Sequence, residues 1–303
     1  MIYLVHHAVT LTVGVLTIAA LTRSSRSLGA PRTSILLWQA STLTVALSAV
    51  GLLLTAGLRP YARGIVPGLT ALTADLTTGA PLPTTAQLIA VGTGLAVVAA
   101  MVAIQAGSSW RCHRRRSRHR QLLDLVAAHD ADRHVHVLDH PAVTAYYLPG
   151  RTGCVVVSRG ALSVLTPDEL GAVIAHEEAH ARYHHHIALA PFQALHRAVP
   201  LRPFRVMANR MALLVELCAD DAAARRVGTA PLVSALRSMR RHAVLPATPL
   251  DTLAAGVTAL DHRIRRLDRP APRRRSATPI GAVAVAAALV VAATPLSLFA
   301  LPL

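Results

Sequence analysis

The stretch TPDELGAVIAHEEAHARYHHH, residues 166–186, decides how the polar half of this chain is read. Thr166 is placed to cap a helix, Pro167 suits its first position, and Glu169 stands where a carboxylate can return to the cap. Leu170, Val173 and Ile174 follow as an apolar stripe at helical spacing. With no breaker before Pro191, the helix is expected to run through His176 and His180 and to continue past Tyr183.

Four residues make slightly more than one helical turn, so His176 and His180 project from one face and can share a zinc ion. Glu177, one position on, is turned toward water at that ion rather than toward the ion, as a general base requires. A catalytic zinc needs a third protein ligand. His186 lies six residues after His180, and on a continuing helix it is rotated roughly 240° away, so it points elsewhere. Glu216, inside the apolar run ALLVELCA, is the better choice, because a carboxylate embedded there needs a partner. Asp220 follows one turn later on the same face, where it can accept the remaining N–H of a ligand imidazole.

The rest of the chain is far less polar. Of 303 residues, 53% are hydrophobic and 15% charged, too apolar for an ordinary soluble domain. Residues 1–21, 34–58, 84–107 and 277–300 contain no Asp, Glu, Lys or Arg, and each stretch is long enough to cross a bilayer. Their Ser, Thr, Gly and Ala content suits close packing between membrane helices. The first stretch has no basic residue before its apolar core and Arg23 and Arg26 after it, so it reads as a retained helix, not a cleaved signal.

The net charge of +16 rests on arginine alone. Arg23, Arg26 and Arg32 crowd the loop after the first stretch. Arg111, Arg114, Arg115, Arg116, Arg118 and Arg120 follow the third, and Arg269, Arg273, Arg274 and Arg275 precede the fourth. The positive-inside rule then puts both termini outside and residues 111–276 in the cytoplasm of a multi-pass cell-membrane protein. Beside a span, the basic run 111–120 reads as topology setting and anionic-lipid contact, and no direct nucleic-acid binding is expected. Cys112, Cys154 and Cys218 are too few and scattered for a disulfide framework and are expected to be reduced.

Within 111–276, RQLLDLVAAH reads as a helix, and HVHVLDH, AVTAYYL and GCVVVS as strands between turns. VMANRMALLVELCADDAAARR reads as the second ligand helix. The expected fold is α+β: four transmembrane helices and a mainly helical cytoplasmic domain carrying a small β-sheet. The divisions are 1–110, with spans at about 1–21, 34–58 and 84–107, then 111–276 and 277–303. His134 and His136 read as exposed strand histidines, His184 and His185 as capping or solvating the end of the zinc helix, and Cys218 as packing. The group that stabilises an oxyanion stays open among Tyr146, Tyr147, Tyr183, Arg225 and His242.

HEEAH followed by ELCAD on a second helix resembles the gluzincin pattern HExxH…ExxAD. Two integral-membrane families share it. In the CAAX-protease and heat-shock membrane-peptidase type, spans commonly lie between or after the ligand helices. In BlaR/MecR-type antirepressor peptidases, three spans precede a cytoplasmic zinc domain and one follows. The chain is similar to the second layout over its whole length, and DHPAVTAYYLPGRTGCVVVSRGALSVLTPDELGAVIAHEEAH resembles that group as well. The resemblance implies a zincin-like domain with His176, His180 and Glu216 as zinc ligands, Glu177 as base and Asp220 behind a ligand histidine. The chain stops at Leu303, so the extracellular penicillin-binding sensor of those receptors is expected to be lacking. The expected activity is endopeptidase cleavage of a cytoplasmic protein, by resemblance a DNA-binding transcriptional repressor, with a signal from a sensor partner in the membrane. A membrane quality-control protease is the runner-up, and a non-proteolytic zinc-binding signalling protein the third reading.

Overall fold

The computed structural model describes residues 2–24, 26–62, 64–130, 135–150, 153–242 and 250–268, with 288, 291 and 293. The chain divides into two compact units, residues 1–106 with 276–303, and residues 107–275. The expected fourth span lies outside the described residues apart from those last three positions, and so does His134.

The first unit holds α1 (Ile2–Arg23), α2 (Pro31–Gly57), α3 (Ile65–Thr78) and the start of α4 (Thr85–Val126). Among the described residues, α1, α2 and α4 are long and apolar enough to cross a membrane. Small and hydroxyl side chains let α1 and α2 approach closely. Thr10 and Ser48 share a 2.8 Å hydrogen bond, and a Cβ on Gly51 would fall 2.3 Å from the fully buried His7 ring. The segment 59–83, between the second and third expected spans, contains α3, because Ile65, Leu69 and Leu72 form a stripe that packs with Leu58 and Val91.

The second unit begins within α4, a 42-residue helix in which the third apolar stretch runs on through the arginines without a break. Four strands follow: β1 (Ala127–Asp130), β2 (Val135–Leu138), β3 (Ala145–Leu148) and β4 (Cys154–Ser158). Their order is β1-β2-β4-β3, with β2 and β4 parallel and the outer pairs antiparallel. The sequence places Ala127–His129 at the end of a helix; in the structure the helix stops at Val126 and β1 pairs with β2 from Ala127 to Asp130. Backbone pairing with a formed β2 overrides the helical preference of a short Ala-rich segment.

After β4 come α5 (Arg159–Val164), α6 (Pro167–Arg182), α7 (His185–Ala198), α8 (Arg202–Val227), α9 (Thr229–Arg241) and α10 (Leu250–Asp268). One face of the sheet offers Val135, Val155 and Val157 to Leu170 and Val173 of α6 and to Ala235 of α9. The other face packs Leu148 and Val156 on Leu123 of α4. The opposite side of α6 places Ala172 and Ala175 against Ala223 of α8, Leu232 and Leu236 of α9, and Ile264 and Leu267 of α10. Helix α6 is therefore covered on both sides, which fixes the rotation of its histidines.

The start of α6 is the capping box read from the sequence: Thr166 Oγ1 accepts from Glu169 N, and Glu169 Oε2 accepts from Thr166 N at 2.9 Å. The second oxygen of Glu169 accepts from Ser234 and Ser238 on α9. Burial opposes charge on Glu169, but these donors outweigh it and hold its carboxyl below the ordinary value of 4.5. A depressed folded value gives stability that is present above 4.5 and lost as the pH falls through the folded value. Glu169→Gln is therefore expected to destabilise the detergent-solubilised protein by about 1–3 kcal/mol at pH 7. In thermal melts, the gap to wild type should close as the pH is lowered into the acid range.

Candidate active site

Helices α6, α8 and α10 meet at one point. His176 and His180 point from the same face of α6, and their Nε2 atoms lie 3.1 Å apart. Glu216, from the middle of α8, places Oε2 3.4 Å from His176 Nε2 and Oε1 3.5 Å from His180 Nε2. These three donors lie within 4.8 Å of one another. A tetrahedral zinc site with bonds of about 2.0–2.2 Å needs donor–donor edges of about 3.3–3.6 Å, so the two imidazoles and the carboxylate fit that ion in both chemistry and spacing.

Behind the donors lies Asp220, one turn after Glu216 and with no exposed surface. Its Oδ1 is 3.1 Å from His176 Nδ1, at ion-pair distance though outside hydrogen-bond geometry. Glu177 turns the other way, toward the sheet, where Oε2 accepts from the Tyr147 backbone N–H at 2.9 Å. Among the described residues, strand β3 pairs only with β4 and is an edge of the sheet, so this N–H belongs to its open side.

Arg263 of α10 is the site residue that the sequence reading missed. Its Nε and one terminal nitrogen donate to both oxygens of Asp220, at 2.8 and 2.7 Å. The other terminal nitrogen is 2.8 Å from Glu216 Oε2, and the first also approaches His176 Nε2 at 3.4 Å. The available signal was its place beside the apolar stripe Leu260, Ile264 and Leu267, where an arginine on the buried edge of a helix implies a carboxylate partner.

Burial works against charge throughout this cluster, and specific neighbours decide the outcome. For His176, burial is outweighed by Asp220 and Glu216, and the ring is pushed up to about 9. Burial pushes His180 down to about 4. Glu216 is held at about 2 because His176 and Arg263 overcome its burial. Burial, with Glu216 adding, pushes Glu177 up to about 7, into the range that suits a general base.

Two expectations about the end of α6 are corrected. The helix does not continue past Tyr183: it stops at Arg182, and His184 takes a left-handed conformation with φ 49°. His185 does not solvate the helix end but is buried, and Pro191 is accommodated inside α7. His186 is outside the donor cluster and is half-buried. Of the oxyanion candidates, Tyr146 bonds His119 on the far face of the sheet, Arg225 is exposed, and His242 turns to the Ser238 carbonyl. Tyr147 meets Glu177 through its backbone.

His180→Ala and Glu216→Ala are expected to lose stoichiometric zinc on metal analysis of the purified protein, and His186→Ala to keep it. Because His176 holds a proton at neutral pH before metal is taken up, the apparent zinc affinity should weaken as the pH is lowered from about 9 toward 7. Retention of zinc by Glu216→Ala with loss by His186→Ala would reverse the assignment.

Residues 110–230 match the model of peptidase family M48, a family of metal-dependent peptidases. No curated protein and no solved structure matches the chain. The matched segment contains the whole sheet, α6 and α8, and with them His176, Glu177, His180, Glu216 and Asp220, and it supports a metallopeptidase.

Proposed function

We propose that this protein is a membrane-tethered zinc endopeptidase whose active site works on cytoplasmic polypeptides. The observation that carries the reading is the triangle of His176, His180 and Glu216 donors beside Glu177, a half-buried carboxylate aimed at the open edge of a strand. A zinc ion bound there supplies a Lewis acid that polarises a carbonyl and makes water acidic near neutral pH. Glu177 takes the proton of the attacking water on its carboxylate and passes it to the leaving amine. Its elevated affinity for protons suits both transfers. Asp220 and Arg263 keep His176 and Glu216 in place. The open edge of β3 aligns an extended segment of substrate by backbone hydrogen bonds, which demands little of its side chains.

The three apolar helices and the arginines beside them support a membrane protein with this domain on the cytoplasmic side. By its resemblance to the antirepressor peptidases, the substrate is a DNA-binding repressor, and its signal enters through the spans, the segment 59–83 or a partner in the membrane. Backbone recognition by β3 also favours the quality-control reading, because damaged proteins share no sequence. Cells carrying wild type or Glu177→Gln under envelope stress separate the two. A repressor fragment that appears only with wild type supports the first, and misfolded membrane proteins accumulating without such a fragment support the second.

The peptidase reading has a direct test. The purified protein with zinc should cleave an unfolded polypeptide, and Glu177→Gln should keep its zinc while losing about 10²–10⁴-fold in rate. An active Glu177→Gln protein would overturn the mechanism. Reporter fusions after Arg120 should report cytoplasm and fusions near Ala71 the outside; the opposite pattern would reverse the orientation.

A further inference from the structure

The turn after α6 delivers a third imidazole to the site. His184, with φ 49° and ψ 41°, donates its N–H to Ala181 O at 3.1 Å, and its carbonyl accepts from Ile187 N at 2.8 Å. The chain reverses there, and the first residue of α7, His185, comes back against α6. Its side chain is buried at 4% exposure. His185 Nδ1 lies 3.1 Å from His180 Nδ1, with the rings edge to face at 86° and 4.9 Å between centroids. The Tyr183 ring stacks against His185 at 25°. His180 thus turns Nε2 toward Glu216 and His176, and Nδ1 toward His185.

A metal-ligating imidazole needs an acceptor for its other N–H, because that bond fixes both the tautomer and the ring orientation. Asp220 stands at this position for His176. We propose that His185 does so for His180, as a positioning residue that accepts the Nδ1–H of His180 at its own Nδ1. The proposal rests on the metallopeptidase reading and adds to it the second outer partner of the metal site. Two neutral imidazoles can bond in this way in one arrangement that leaves His180 Nε2 free for metal: His180 carries its proton on Nδ1 and His185 on Nε2. A neutral acceptor orients the ligand without adding another carboxylate to a cluster that already holds Glu177, Glu216 and Asp220 beside one arginine.

The test is the zinc dissociation constant of the full-length protein in detergent, measured by chelator competition on metal-free samples. Wild type, His185→Phe, His185→Asn and His186→Phe are compared, with melting temperature recorded for each. Phe fills the space without an acceptor, whereas the Asn side-chain oxygen can reach the place of Nδ1. His185→Phe should bind zinc about 10–100-fold more weakly. His185→Asn should recover most of that loss, and His186→Phe should match wild type. If His185→Phe does not fold, His185→Ala takes its place against His185→Asn. Unchanged affinity in His185→Phe, no recovery in His185→Asn, or an equal loss in His186→Phe would each overturn the proposal. A wild-type protein that takes up no zinc would overturn the metallopeptidase reading itself, and the proposal with it.

Discussion

A carboxylate with no exposed surface holds this domain's chemistry together. Asp220 sits in α8, faces His176 of α6, and is gripped through both oxygens by Arg263 of α10. A charge so buried is tolerated only when paired and hydrogen-bonded, and breaking such a pair costs about 3–5 kcal/mol. The same arginine reaches Glu216, so one guanidinium orders an expected zinc ligand and the group behind another. Further ion pairs along α10, Arg266 to Asp221 and Asp268 to Arg237, tie it to α8 and α9. These outer pairs are partly exposed and contribute little singly, but they hold α10 in the register that delivers Arg263.

That arrangement explains why the site tolerates so many titratable groups. Each carboxylate has a cationic or N–H partner: Asp220 has Arg263, Glu216 has Arg263 and the histidines, and Glu177 has the Tyr147 N–H. Glu177 has the weakest support for its charge, which is why burial raises it while Glu216 and Asp220 are lowered. The separation of roles follows from these environments. Two carboxylates stay ionised beside cationic partners, and the third has the raised affinity for protons that the proposed base requires.

The sequence shows this division in part. The capping box at Thr166, the shared face of His176 and His180, and the placing of Glu216 one turn before Asp220 are local periodicities, and the structure brings those residues together as read. Arg263 was not legible because its meaning depends on a contact 43 residues away from Asp220 in the chain. Strand β1 was missed for a similar reason, since its residues acquire strand character only by pairing with β2. The continuous α4 was read as two pieces because its apolar half and its arginine half differ in composition, while the backbone does not register the change.

The end of α6 departs furthest from what local sequence implies. No breaker stands between Tyr183 and Pro191, so the sequence predicts a continuing helix, and a left-handed residue with a Cβ costs about 1–2 kcal/mol. Histidine is among the residues that enter that region more readily than most. The cost at His184 is offset by what the turn permits: His185 is buried, Tyr183 stacks on it, and the His185 ring meets His180. On an unbroken helix, His186 would be rotated away from His180 by its six-residue offset. With the helix broken, the same conclusion holds for another reason, because the reversal spends its reach on His185. Three consecutive histidines thus have three different environments, a backbone turn, a buried contact to His180 and a half-buried flank, and only their placement in space tells them apart.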